Sequence, residues 1–177
     1  ANQLALTLMR RHMHKAVGRG IHGDGSLSKP VLKAIPFDLT GSQTTALKEI
    51  ADDMQSDNRM LRLLQGDVGS GKTIVALLAM LAAVEAGTQA VLMAPTEILA
   101  RQHLATIEPL AKAAGIEIAL LTGRDKGKPR EAILAGLKSG ETHLAVGTHA
   151  LFQDDVEFAD LGLAVIDEQH RFGVHQR

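Results

Sequence analysis

The spacing of hydrophobic and polar positions in this 177-residue chain changes character several times along its length. Leu4, Ala5, Leu8 and Met13 recur at helical spacing and predict a helix over residues 3–17. Gly18-Arg19-Gly20 stops it. The stretch Gly20–Ser28, with Gly23, Asp24, Gly25 and Ser26, reads as a flexible linker, and Pro30 and Pro36 bracket a second short connector. From Leu39 the pattern alternates. Thr40-Gly41-Ser42-Gln43 has the residues of a capping box, a hydroxyl at the N-cap and an amide at N3, and the helix it opens carries Leu47, Ile50 and Met54. Short apolar runs at Met60–Leu64, Ala90–Met93, Ile116–Leu121, Leu144–Val146 and Leu163–Ile166 predict strands. Helices are predicted over Ile74–Ala86, Glu97–Ala114 and Glu131–Lys138, with Pro129 suited to the first helical position of the last.

Strands that are apolar on both faces and separated by helices predict a parallel sheet covered on both sides. Five of them in βα order predict an α/β, doubly wound domain, in which ligands bind beyond the carboxyl ends of the strands. The predicted polar motifs fall at those ends. The organisation expected is a basic connector over residues 1–36 and one α/β domain over residues 37–177, with no internal repeat.

Gly66-Asp67-Val68-Gly69-Ser70-Gly71-Lys72-Thr73 matches the Walker A pattern G-x-x-x-x-G-K-[ST] at every defined position. Glycines let successive N–H groups face one phosphate cluster, and the helix that follows adds the partial positive charge of its N-terminus. Lys72 is then matched to the β- and γ-phosphates of ATP and the Thr73 hydroxyl to Mg²⁺. Leu163-Ala164-Val165-Ile166-Asp167-Glu168 is an apolar run ending in two acids, the expected partner of such a loop. Asp167 is assigned to Mg²⁺ and Glu168 to the base that orients the attacking water.

Composition adds limits. Hydrophobic residues at 45% and charged residues at 22% are the balance of a globular protein rather than a disordered one. With no cysteine, disulfides and thiolate metal sites are excluded, and the chain suits a reducing compartment. The net charge of −1 hides a separation: residues 1–33 hold six Lys/Arg against Asp24 alone, and the rest holds thirteen basic against nineteen acidic residues. A basic arm on an acidic body is either a phosphate-contacting element or a solvated helix face. Only four aromatics are present, all Phe, so base stacking is not expected to dominate any DNA contact. The histidines lack metal-ligand spacing; His12 and His14, two apart on one helix, point away from each other.

Taken together, the motifs resemble the first motor domain of the RecG family of superfamily-2 DNA helicases. Asp167-Glu168-Gln169-His170 is similar to the DExH form of helicase motif II and is followed by Arg171-Phe172-Gly173. Ala94-Pro95-Thr96-Glu97-Ile98-Leu99-Ala100-Arg101-Gln102-His103 looks like motif Ia, and Leu121-Thr122-Gly123 like motif Ib. Gly147-Thr148-His149-Ala150-Leu151 resembles a further DNA-facing motif, and Leu39-Thr40-Gly41-Ser42-Gln43 the Gln motif. The resemblance implies a RecA-like P-loop fold and an ATP-dependent helicase of branched DNA in repair and recombination, working in the bacterial cytoplasm at the nucleoid. It also implies that Gln43 reads adenine and that Thr96, Arg101, Thr122, Gly123, Thr148 and His149 face DNA. His170 would couple ATP to DNA, and a wedge domain and a second motor domain would complete the machine. On that view residues 1–177 are a piece that binds ATP and by itself hydrolyses little. The transcription-repair coupling factor shares the loop but usually reads Asp-Glu-Glu-Gln in motif II. A P-loop ATPase that remodels protein and a non-catalytic nucleotide-binding module are the other readings.

Overall fold

A computed structural model gives the structure of the chain and describes residues 18–167. The helix predicted over residues 3–17, Glu168 and His170 lie outside the described residues. The elements are α1 (Ser28–Ala34), α2 (Gly41–Gln55), α3 (Lys72–Glu85), β1 (Gln89–Met93), α4 (Glu97–Ala113), β2 (Ile118–Leu121), α5 (Lys128–Ser139), β3 (Leu144–Gly147), a 3-10 turn (His149–Phe152) and β4 (Leu161–Ile166). The predicted periodicities locate α2–α5 and β1–β4 to within a few residues, because each carries a full apolar stripe or a two-sided apolar run.

The sheet has the order β2-β3-β1-β4, and its paired strands run parallel. Alternation along the strands divides the core in two. Ala90 and Leu92 of β1, Leu144 and Val146 of β3, and Leu163 of β4 face a large cluster built with Val31 of α1, Ile50 and Met54 of α2, most of α3, and Ala100 and Ile107 of α4. Val91, Ala145 and Leu121 face the other side, against Leu137 of α5 and Ala150 and Leu151 of the 3-10 turn. The α/β class and the doubly covered parallel sheet are therefore as the sequence predicts. On β4 the second face is thinly covered, and Ala164 and Ile166 are exposed.

Two expectations are corrected. Met60–Leu64 is not a strand of the sheet: Leu61 and Leu63 are exposed, Leu63 by 72%. An apolar run becomes a strand only where a neighbour completes its hydrogen-bond ladder, and among the described residues no strand pairs with it. Arg62 inside the run is instead held by Asp53 of α2 at 2.7 Å, and by Glu49, and the two carboxylates raise the pKa of its guanidinium.

The second correction concerns Gly20–Ser28 and the connector after it, which are packed onto the body. The Gly18 and Ile21 N–H groups donate to the Asp57 and Met54 carbonyls at 2.7 and 2.8 Å, and Ile21 is buried. The Glu85 carboxylate at the end of α3 accepts from the N–H groups of Gly25, Leu27 and Ser28 at 2.8–3.1 Å. It thereby organises the start of α1, whose Val31 is fully buried. Among the described residues no helix is long and apolar enough to cross a membrane.

Candidate functional site

Because the strands are parallel, their carboxyl ends lie along one edge of the sheet. Met93 leads into Ala94-Pro95-Thr96, Leu121 into Thr122, Gly147 into Thr148 and Ile166 into Asp167. Backbone bonds lock these exits together: Ala94 N–H donates to Gly147 O at 2.8 Å, Asp167 N–H to Met93 O at 2.8 Å, and Thr148 N–H to Leu121 O at 3.2 Å. Gly147 is required there, since a Cβ would run into the Leu121 carbonyl. Helix α3 turns back through Ala86-Gly87-Thr88 directly into β1, so its N-terminus comes to the same edge.

That N-terminus, like that of α5, has a glycine at its N-cap and no capping side chain. Helices α2 and α4 are capped by the Thr40 and Thr96 hydroxyls, which accept from Gln43 N–H and Leu99 N–H. Helix α3 has Gly71 at its N-cap, with φ of 79°, and no side-chain cap. The helix starts behind an exposed loop with no side chain capping its end, an arrangement that suits an anion. Lys72 Nζ donates to the loop carbonyls of Gly66 and Asp67 at 2.8 and 2.7 Å, placing its charge within the loop's own curve. Thr73 follows in the first turn of α3.

Gln43 joins this loop to α2. Its Oε1 accepts from Thr40 N–H at 2.8 Å, completing the predicted capping box, and its Nε2 donates to Ser70 O at 2.8 Å. The amide expected to read adenine is thus engaged in holding the Gly66–Thr73 loop against the start of α2.

Asp167 leaves β4 at the same edge, and its Oδ2 lies 2.7 Å from His103 Nε2 on α4. His103 closes the stretch that resembles motif Ia, but the motif reading gave it no role. It continues the inward stripe of Ala100, Ile107 and Ala111, where a lone polar side chain is the available signal.

The residues expected to face DNA divide in two. Thr96, Arg101, Gly123 and His149 are exposed. Thr122 and Thr148 are buried, which corrects the expectation that their hydroxyls reach outward. Thr122 donates from N–H and Oγ1 to Asp125 Oδ2 at 2.6 and 2.9 Å, and Thr148 Oγ1 accepts from Ala150 N–H at 3.4 Å. Both build the turns that present their neighbours. One neighbour, Arg124, is 85% exposed and shares Glu97 with Arg101: the carboxylate holds Arg101 at 3.0 Å and Arg124 at 3.2 Å. Its position directly after Leu121-Thr122-Gly123 was the sequence signal for it.

The chain's residues 40–177 match the family model for DEAD/DEAH box helicases. The chain belongs to the DEAD/DEAH box helicase family. It is 48% identical over its whole length to the ATP-dependent DNA helicase RecG of Haemophilus influenzae, covering 26% of that protein. To the RecG of Bacillus subtilis it is 54% identical over 146 residues, 82% of this chain and 21% of the relative. A solved structure of RecG bound to a three-way DNA junction superposes with a TM-score of 0.84 at 45% identity, over 97% of this chain and 24% of that one. The chain thus spans about a quarter of the length of the relatives it matches. Membership of a helicase family with ATP-dependent relatives implies nucleotide use.

Proposed function

We propose that this chain is the ATP-binding first motor domain of a helicase that moves on branched DNA, such as forks and recombination junctions, in repair and recombination. The observation that carries the reading is the meeting, at one sheet edge, of an uncapped Walker A helix, an acidic strand end and exposed basic turns. High identity to RecG proteins along the whole chain favours this over a protein-remodelling ATPase or a coupling-factor translocase. The bacterial origin of the relatives supports action in the cytoplasm, at the nucleoid.

In this reading Lys72 Nζ exchanges the Gly66 and Asp67 carbonyls for β- and γ-phosphate oxygens, and Gln43 exchanges Ser70 O for the adenine edge. The donors available for a cation, the Thr73 hydroxyl and the Asp167 carboxylate, are hard oxygens of the kind Mg²⁺ prefers. When bound, Mg²⁺ would neutralise charge on the phosphates. Glu168 orients the attacking water and accepts its proton, and His170 passes the state of the site toward DNA. Thr96, Arg101, Gly123 and His149, together with the turns that Thr122 and Thr148 build, meet the DNA backbone. Successive strands lie about 4.8 Å apart, so the exit of β2 is roughly 14 Å from that of β4. Nucleotide and DNA would therefore occupy neighbouring stretches of one edge. A second motor domain and a wedge domain, for which the greater length of the relatives leaves room, would complete both sites.

The test is branched-DNA unwinding and DNA-stimulated ATP hydrolysis by the whole protein and its Lys72→Ala variant. The variant is expected to bind junction DNA normally and lose both activities by at least a hundredfold. Unwinding by Lys72→Ala, or ATP hydrolysis indifferent to DNA, would overturn the reading.

A further inference from the structure

Asp167 and His103 are 64 residues apart and belong to different elements: the carboxylate to the end of β4, the imidazole to the second turn of α4. The Oδ2–Nε2 separation is 2.7 Å, and the side chains are 30% and 17% exposed. An ionised carboxylate only accepts hydrogen bonds, so Nε2 carries the proton in this pair. That bond restrains rotation of the carboxyl group and occupies Oδ2, leaving Oδ1 as the oxygen with which Asp167 can face outward. The imidazole is itself restrained, because its neighbours on the same stripe, Ala100 and Ile107, are fully buried against the sheet.

We propose that His103 is a positioning residue: it holds the Asp167 carboxylate in the orientation that serves the metal–nucleotide site, and it ties that site to the helix that carries the DNA-facing Thr96 and Arg101. The proposal rests on the reading of Asp167 as the Mg²⁺-side carboxylate. Groups that hydrogen-bond a metal-binding carboxylate fix its geometry, and their loss typically costs about 10- to 100-fold in metal affinity or activity. The connection is short: His103 lies seven residues from Thr96, about 10 Å along the helix axis. A displacement of α4 by DNA is therefore felt directly at Asp167, through one hydrogen bond and no intervening segment.

The experiment uses the whole protein with Mn²⁺ as a spectroscopic substitute for Mg²⁺. Binding of Mn²⁺ in the presence of ADP is read by electron paramagnetic resonance. Nucleotide affinity is measured in parallel in EDTA, and ATP hydrolysis with and without junction DNA. His103→Phe keeps the bulk of the ring and removes the donor; His103→Gln keeps a donor; Asp167→Ala serves as the reference. For His103→Phe, Mn²⁺ affinity is expected to fall about tenfold, with metal-free nucleotide affinity within twofold of the parent and a smaller stimulation by DNA. His103→Gln is expected to recover part of each loss. In the Asp167→Ala background His103→Phe should add nothing, since the two act as one unit. If Asp167→Ala weakens Mn²⁺ binding and His103→Phe does not, the positioning role is wrong while the site reading stands. If Asp167→Ala itself leaves Mn²⁺ binding unchanged, both fall. A variant that loses metal-free nucleotide binding to the same degree as Mn²⁺ binding also overturns the proposal, because the histidine then serves only packing.

Discussion

Lys72 shows how much chemistry one side chain of this chain carries. Its ammonium rests on two loop carbonyls, at 2.8 and 2.7 Å, and those bonds are weak competitors for a polyphosphate. ATP at a hundredfold excess over its dissociation constant would stabilise the chain by about 2.7 kcal/mol. For a domain of this size that raises the melting temperature by roughly 5–11 °C. Lys72→Ala is expected to abolish most of that shift in a thermal unfolding series with Mg-ATP, and an equal shift in the variant would refute the phosphate-loop assignment. Glu168→Gln in the whole protein is expected to bind ATP with parental affinity and hydrolyse it at least a hundredfold more slowly. Turnover within twofold of the parent would remove Glu168 from the role of base. The buried Thr122 and Thr148 carry a different expectation. Replacing either by Val removes the hydroxyl that Asp125 or Ala150 N–H uses, so folding stability drops by about 1–2 kcal/mol.

At the scale of elements, the segment before α2 matters most. Gly20–Ser28 has the glycines and polar residues of a linker, yet its N–H groups find partners in Glu85 and it delivers Val31 to the core. Glu85→Ala removes a charged acceptor from three N–H groups at once and is expected to cost about 2 kcal/mol. That corresponds to a fall in melting temperature of roughly 4–8 °C. Glu85 lies at the far end of α3 from Lys72, about 20 Å away along the helix. The Mg-ATP shift should therefore survive in Glu85→Ala, and its loss would mean that strap and phosphate loop are coupled. The Met60–Leu64 run teaches the converse. Its apolar character is that of a strand, but strand formation is a property of a pair, and its exposed Leu61 and Leu63 lack one among the described residues.

On the scale of the whole molecule, charge decides what the DNA experiment should look like. The body after residue 33 is acidic, and several of its exposed cations are held in place by acids, as Arg101 and Arg124 are by Glu97. Binding through a few backbone phosphates falls linearly on a log–log plot against salt, with each phosphate contributing about 0.7–0.9 to the slope. Arg101→Ala in the whole protein is expected to weaken junction binding and to lower that slope by about one phosphate's contribution. An affinity indifferent to salt, or ranked by base identity, would refute backbone tracking. The basic arm is best tested by Arg10→Gln, Arg11→Gln and Lys15→Gln together, because deleting residues 1–33 would also remove the buried Val31. The sequence by itself determined the α/β class, the glycine-rich loop that opens α3, the acidic strand end and the Thr40–Gln43 capping box. Each of these is written in a local period or in a spacing of a few residues, and local geometry suffices to read it. Tertiary structure alone decided which threonines are buried, that the glycine-rich stretch is strapped to α3, that Met60–Leu64 stays outside the sheet, and that His103 meets Asp167. Those outcomes depend on which surfaces and hydrogen-bonding groups the fold brings together from distant parts of the chain, and no local pattern encodes that.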